Sequence, residues 1–104
     1  LTIGQTQFES SDDFDYTDFK QNPDEYTIID IRNLSEYEES KKFDSANNHP
    51  LNELRETAKT ISTDKPIVVH CAGGYRSAAG SSIIERVLPD AKVYDLSERI
   101  NDFN

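Results

Sequence analysis

The chain has 104 residues, room for one domain with a modest core and little surface to spare. Only 35% of residues are apolar and 30% are charged, yet five Phe, five Tyr and several aliphatic clusters remain, which excludes a disordered chain. The formal charge of −9 excludes a nucleic-acid surface, which needs clustered Lys and Arg to displace counterions from phosphates. Residues 1–11, with Gly4 and the polar run Gln5-Thr6-Gln7, lack a sustained period and read as a lead-in or linker, so the domain is expected over 12–104. From Asp12 the spacing of Phe14, Tyr16 and Phe19 predicts a short helix that stops at Asn22-Pro23, where proline forbids continuation.

Thr27-Ile28-Ile29-Asp30-Ile31 is a β-branched apolar run of the kind that forms a buried strand, ending at Arg32-Asn33. Ser35-x-x-Glu38 then offers a capping box, the Ser35 hydroxyl accepting from the Glu38 amide, and a short helix is expected to start there. After Pro50, Leu51, Leu54, Ala58 and Ile61 recur at three- and four-residue steps on one helical face. Lys65-Pro66 introduces Ile67-Val68-Val69-His70, a continuous apolar strand suited to a sheet covered on both faces. Ile83, Ile84, Val87 and Leu88 form a further helical stripe stopped by Pro89, and Val93-Tyr94 reads as a third strand. Strands alternating with helices imply a parallel sheet whose ligands bind beyond the carboxyl ends of the strands, where Cys71 stands.

The stretch His70-Cys71-Ala72-Gly73-Gly74-Tyr75-Arg76-Ser77 joins a strand end, a glycine turn and a helix start in eight residues. Its glycines let the backbone curl until successive amide N–H groups converge on one centre, a cradle for an anion. A helix beginning near Ser77 aims the positive end of its dipole at that centre, and Arg76 adds a fixed cation, the local positive field that an anion site in so acidic a chain requires. Such surroundings lower a cysteine from its usual pKa of about 8.5 by one to several units, which marks Cys71 as a nucleophile. An isolated cysteine is more often a small core residue, but here each neighbour supplies a separate requirement of thiolate catalysis.

The pattern Cys71-x-x-Gly74-x-Arg76-Ser77 resembles the active-site loop of the rhodanese family. Upstream, Ile29-Asp30-Ile31-Arg32 followed by Ser35-Glu36-Tyr37 is similar to the family's D-x-R-x-x-x-E-Y, and Ser45-Ala46 and Pro50-Leu51 match later landmarks, so the resemblance covers residues 26–97. It implies an α/β fold with a central, mainly parallel sheet flanked by helices on both faces. It also implies a sulfurtransferase, in which Cys71 takes a sulfane sulfur from thiosulfate or a persulfide and passes it to a thiol or other nucleophile. Ala72, Gly73, Gly74, Tyr75, Arg76 and Ser77 are then the persulfide-binding loop, its amides holding the outer sulfur as they would an oxyanion. Arg76 neutralises the donor or fixes the loop, Ser77 caps the helix and can contact the sulfur as well, and Tyr75 shapes the pocket mouth.

The family's G-H-I-x-G-A stretch is replaced by Ser40-Lys41-Lys42-Phe43-Asp44-Ser45-Ala46, without its glycines or histidine, and Glu98-Arg99 then Phe103 stand where a glycine pair is usual. Another path is therefore expected for 40–48 and 97–104. Asp30 and Arg32 read as a buried strand-end pair tying loops together. His70 reads as structural, because adjacent strand residues point to opposite faces. His49 has no visible partner, no His/Cys/carboxylate group has metal-ligand spacing, and neither metal nor cofactor is expected.

Two rival readings share this loop. Cysteine phosphatases and arsenate reductases also use cysteine, glycines, arginine and serine at such a turn, but with five residues between cysteine and arginine; here there are four, a cradle suited to one sulfur and cramped for phosphate. A non-catalytic binding or regulatory module on the same scaffold is the other. A single cysteine allows no internal disulfide or resolving thiol, so a reducing cytoplasm is expected and the sulfur must leave to an outside acceptor. No apolar run is long enough to span a bilayer and no signal segment opens the sequence, so no membrane partner is expected. The loop also resembles those of rhodanese domains fused behind metallo-β-lactamase-fold persulfide dioxygenases of bacteria; with Leu1 in place of methionine, a sulfurtransferase part of such a sulfide-detoxifying enzyme is implied.

Overall fold

The two densest β-branched runs become the two central strands: Thr27–Asp30 (β1) pairs in parallel with Ile67–His70 (β3), Thr27 opposite Ile67 and Asp30 opposite His70. The structure, a computed structural model, describes residues 14–73 and 75–103 apart from the side chains of Tyr75 and Phe103; the lead-in over 1–11 lies outside the described residues. Asn47–Asn48 (β2) adds to the free edge of β1 and Val93–Asp95 (β4) to that of β3, giving an all-parallel sheet of order β2-β1-β3-β4. Nothing in the pattern of residues 47 and 48 announces a strand. The backbone pairing is reinforced by the Asn48 amide, which donates to the carbonyls of both Asp30 and Arg32.

Alternation along β1 and β3 builds two cores. Ile29, Ile31, Ile67, Val69 and Cys71 face one side, against Leu54–Thr57 (α3) and Tyr75–Val87 (α4), which contribute Leu54 and Ile84. Ile28 and Val68 face the other, against Phe19 of Tyr16–Gln21 (α1) and Ile100 of the final 3₁₀ segment Ser97–Phe103. Helices therefore cover both faces, as expected for continuous apolar strands. The second core is aromatic: Phe14 stacks on Tyr94 at 4.9 Å, and Phe43 lies edge-on to Phe19 at 5.5 Å. Each fully buried Phe, Leu or Ile contributes roughly 2 kcal/mol.

Several local expectations shift. The first helix is capped by Asp15, whose carboxylate accepts from the Asp18 amide, and it starts at Tyr16; Asp12 lies outside the described residues. The next helix, Leu34–Glu39 (α2), uses Asn33-x-x-Glu36 as its capping box instead of Ser35-x-x-Glu38. Asn33 Oδ1 accepts from the Glu36 amide at 3.1 Å, and Glu36 Oε1 accepts from the Asn33 amide at 3.2 Å. The cause is that the chain turns directly after Arg32, which leaves Ser35 inside the first turn with its hydroxyl donating to Asn33 Oδ1. The face of Leu51, Leu54, Ala58 and Ile61 does turn inward, but on three short pieces, 3₁₀ at Leu51–Glu53, α3, and 3₁₀ at Ala58–Thr60, with Ile61 following in extended backbone.

The α4 helix lies close on the sheet at Gly80, where an added Cβ would stand 2.7 Å from Ile31 Cδ1 and 3.4 Å from Val69 Cγ1. Gly80→Ala gains about 1 kcal/mol of helix propensity but overpacks a buried contact at a cost of about 1–3 kcal/mol, so a net destabilisation of about 1 kcal/mol is expected. Ile31→Val removes the clashing methyl. In urea denaturation the double variant should therefore lose about 1 kcal/mol less than the sum of the single changes, and strict additivity would show that α4 moves away instead.

Candidate active site

Cys71 follows β3 at the carboxyl end of the sheet, and both neighbours hold the strand there: the Ile31 amide donates to the His70 carbonyl at 3.1 Å and the Leu96 amide to the Val69 carbonyl at 2.9 Å. The thiol is only 1% exposed and belongs to the core on the α4 side, while Ala72 and Gly73 beyond it are exposed. Gly74 and the Tyr75 side chain, expected in the cradle and at the pocket mouth, lie outside the described residues. The thirteen-residue α4 starts at Tyr75, so its positive end faces the loop. That start corrects the expectation for Ser77, which is no cap: two residues inside the helix, it is fully buried, and its carbonyl accepts from the Ser81 hydroxyl at 2.6 Å. A cap must precede the first helical residue.

Arg76 fixes the loop by reaching forty residues back in sequence. Its Nη1 and Nη2 donate to Glu36 Oε1 and Oε2 at 2.8 and 3.0 Å, a two-pronged pair of the geometry that favours arginine over lysine. The hydrogen bond to Glu36 raises Arg76 above its ordinary pKa, and the charge on Cys71 adds to that rise; by reciprocity Arg76 favours the thiolate. Hydrogen bonding from Arg76 in turn pulls Glu36 down to about 2. Since Glu36 also closes the α2 capping box, one carboxylate joins the start of α2 to the start of α4. Sequence reasoning assigned Glu36 no role; the Asn33-x-x-Glu36 spacing is the signal that could have drawn attention to it.

Under the loop sits a buried polar group. Asp30 Oδ1 accepts from the Arg32 backbone and Nε at 3.0 Å, and Oδ2 from Arg32 Nη2 at 2.7 Å; both side chains are buried. Arg32 Nη2 also donates to the Ser40 carbonyl at 2.7 Å, tying down the 40–48 segment that lacks the family's glycines, and Phe43 then enters the second core beside His70. Asp30 and Arg32 thus tie loops together as expected. His70 points to the face opposite Cys71, fully buried. His49 is half-buried, its amide donating to the Asp30 carbonyl, and burial lowers its pKa. At the other end of the chain Ser97 takes a left-handed φ of 58°, its amide held by Asp95 Oδ1, and starts the last turn just before Glu98-Arg99, which stand where the family usually has a glycine pair.

A cleft of about 370 Å³ opens beside the loop, lined by Ile31, Asn33, Pro50, Leu51, Asn52 and Arg76. Among the described residues no group of three or more His, Cys, Asp or Glu could hold a metal ion, and no helix is long and apolar enough to cross a membrane.

The rhodanese-like domain family model matches residues 15–104. Among solved structures, a rhodanese-related protein from Thermoplasma volcanium is 32% identical with TM-score 0.67, over 76% of each chain. An NAD-dependent persulfide reductase from A. fulgidus is 36% identical with TM-score 0.59 over 70% of this chain, a match that occupies 13% of that protein. The human single-domain sulfurtransferase, 18% identical with TM-score 0.60 over 81% of this chain and 88% of that one, shares the fold. Among curated protein sequences none matches significantly. A family match that runs from α1 through the last turn, with the cysteine at the strand-to-helix junction of a parallel sheet, shows that the chain belongs to the rhodanese-like domain family.

Proposed function

We propose that this domain is a sulfurtransferase with Cys71 as nucleophile and the loop Ala72, Gly73, Gly74, Tyr75, Arg76, Ser77 as its sulfur-binding element. The observation that carries the reading is the position of Cys71 between the end of a buried strand and the positive end of α4, with Arg76 in the first turn of that helix. The thiolate attacks the outer sulfur of thiosulfate or of an organic persulfide; one S–S bond forms as the donor's breaks, and sulfite or a thiolate leaves. The persulfide on Cys71 then yields that sulfur to a thiolate acceptor, again exchanging one bond for another and restoring the Cys71 thiolate. No electrons are gained or lost overall, so no redox cofactor is needed.

The chain holds one cysteine, so the acceptor is external: a small thiol, or a partner domain such as the metallo-β-lactamase-fold unit suggested by the loop. Rhodanese-like domains are joined to other domains in the A. fulgidus reductase, where the match fills a small share of the protein. The near-complete burial of Cys71 favours a second reading, a module that binds partners without turnover.

Intact mass separates the two. Reduced protein mixed with thiosulfate or a low-molecular-weight persulfide should gain about one sulfur, ~32 Da, and Cys71→Ser should gain none. A thiol that alkylates rapidly at neutral pH yet takes up no sulfur from any donor would exclude sulfur transfer.

A further inference from the structure

His70 is a buried imidazole that the sulfur-transfer steps do not use. Its Nδ1 lies 3.3 Å from the carbonyl oxygen of Cys71. A carbonyl only accepts, so this contact is a hydrogen bond when Nδ1 carries the proton. Burial lowers the His70 pKa, and a neutral ring with its proton on Nδ1 has Nε2 bare; among the described residues that nitrogen has no hydrogen-bond partner, and it lies 3.9 Å from Asp30 Oδ2, a carboxylate already engaged by Arg32. The Asp30 carboxylate and the Cys71 carbonyl pull the pKa back up, while the cations Arg32 and Lys42 oppose protonation along with burial.

The peptide joining Cys71 to Ala72 is planar and trans, so its carbonyl and its N–H point in opposite directions. The His70 ring lies on the Phe43 side of the sheet and the Cys71 sulfur on the α4 side. A Cys71 carbonyl drawn toward the ring leaves the Ala72 N–H pointing away from the ring.

We infer that His70 is a positioning residue: by holding the Cys71 carbonyl it sets the Ala72 amide as the first donor of the cradle around the Cys71 thiolate and its outer sulfur. The inference rests on the sulfurtransferase reading for its consequence, and on the Nδ1 contact for its geometry.

The test begins with the wild-type protein. Nitrogen-15 NMR of its histidines should show His70 with Nδ1 protonated and Nε2 bare, and the opposite tautomer overturns the inference without any substitution. Two variants then carry it to the sulfur: His70→Asn places an N–H near the position of Nδ1, and His70→Gln places one near Nε2. The pH midpoint of Cys71 alkylation should stay within a few tenths of a unit of wild type in His70→Asn and rise by about one unit in His70→Gln, about tenfold slower at neutral pH. A general loss of packing moves both alike, so equal midpoints in the two variants overturn the inference. Should either variant not fold, the wild-type tautomer decides. Sulfur uptake by mass is read separately: the expected midpoints without a ~32 Da gain uphold the positioning role and reject the transferase reading.

Discussion

Asp30→Ala is expected to destabilise the domain by about 3–5 kcal/mol, as removal of one partner from a buried ion pair does. Asp30 receives the Arg32 backbone amide, Nε and Nη2, and neither side chain reaches water to any extent. Once the carboxylate is gone, the guanidinium keeps, among the described residues, only the Ser40 carbonyl as a hydrogen-bond acceptor, and burial then penalises a charge that Asp30 had held above its ordinary pKa. With a total stability of about 5–15 kcal/mol for a domain of this kind, the loss takes a large share of the whole. Urea denaturation measures it through the midpoint. Asp30→Asn, which keeps an acceptor for the Arg32 backbone, should lose less. A cost below about 1 kcal/mol for Asp30→Ala would mean that Arg32 swings out to solvent and that the pair does not anchor the 40–48 segment.

Arg76→Met is expected to slow both alkylation and sulfur uptake at Cys71 by about a hundredfold at neutral pH, the scale of losing one fixed electrostatic donor from a reacting centre. The change removes the cation that Cys71 feels and also the tether to Glu36. Glu36→Gln removes the tether's charge but leaves the Arg76 cation, so its rate should fall by less, about tenfold or under. Equal losses in the two variants would assign Arg76 to holding the loop alone. The pair also has a stability signature. Glu36 is depressed from 4.5 to about 2 chiefly by its hydrogen bond from Arg76, so its contribution is present above about 4.5 and is lost as pH falls through about 2. Both side chains are about one third exposed, at 36% and 34%, and solvent screening reduces the contribution to about 1 kcal/mol. The stability gap between wild type and Glu36→Gln should therefore be constant near neutrality and close between pH 4.5 and 2.

Where the information was local, the sequence was enough. The β-branched runs at 27–31 and 67–70 formed the central strands because such residues favour extended backbone and bury well on both faces. Pro23 and Pro89 ended helices by the covalent limits of proline, and the spacing from Cys71 to Arg76 carried the family resemblance that the match over 15–104 bears out. Tertiary structure decided the rest, since it concerns partners far apart in the chain. Asn47 and Asn48 lack any strand pattern of their own and become β2 only because β1 offers an open edge. Ser77 looked like a cap until the helix began at Tyr75, and two adjacent capping spacings, at Asn33 and Ser35, were separated only by where the chain leaves β1. The pairing of Glu36 with Arg76, and the turn of His70 toward the Cys71 carbonyl, depend on which element packs over which, a choice made by the two cores and invisible to any window of neighbouring residues.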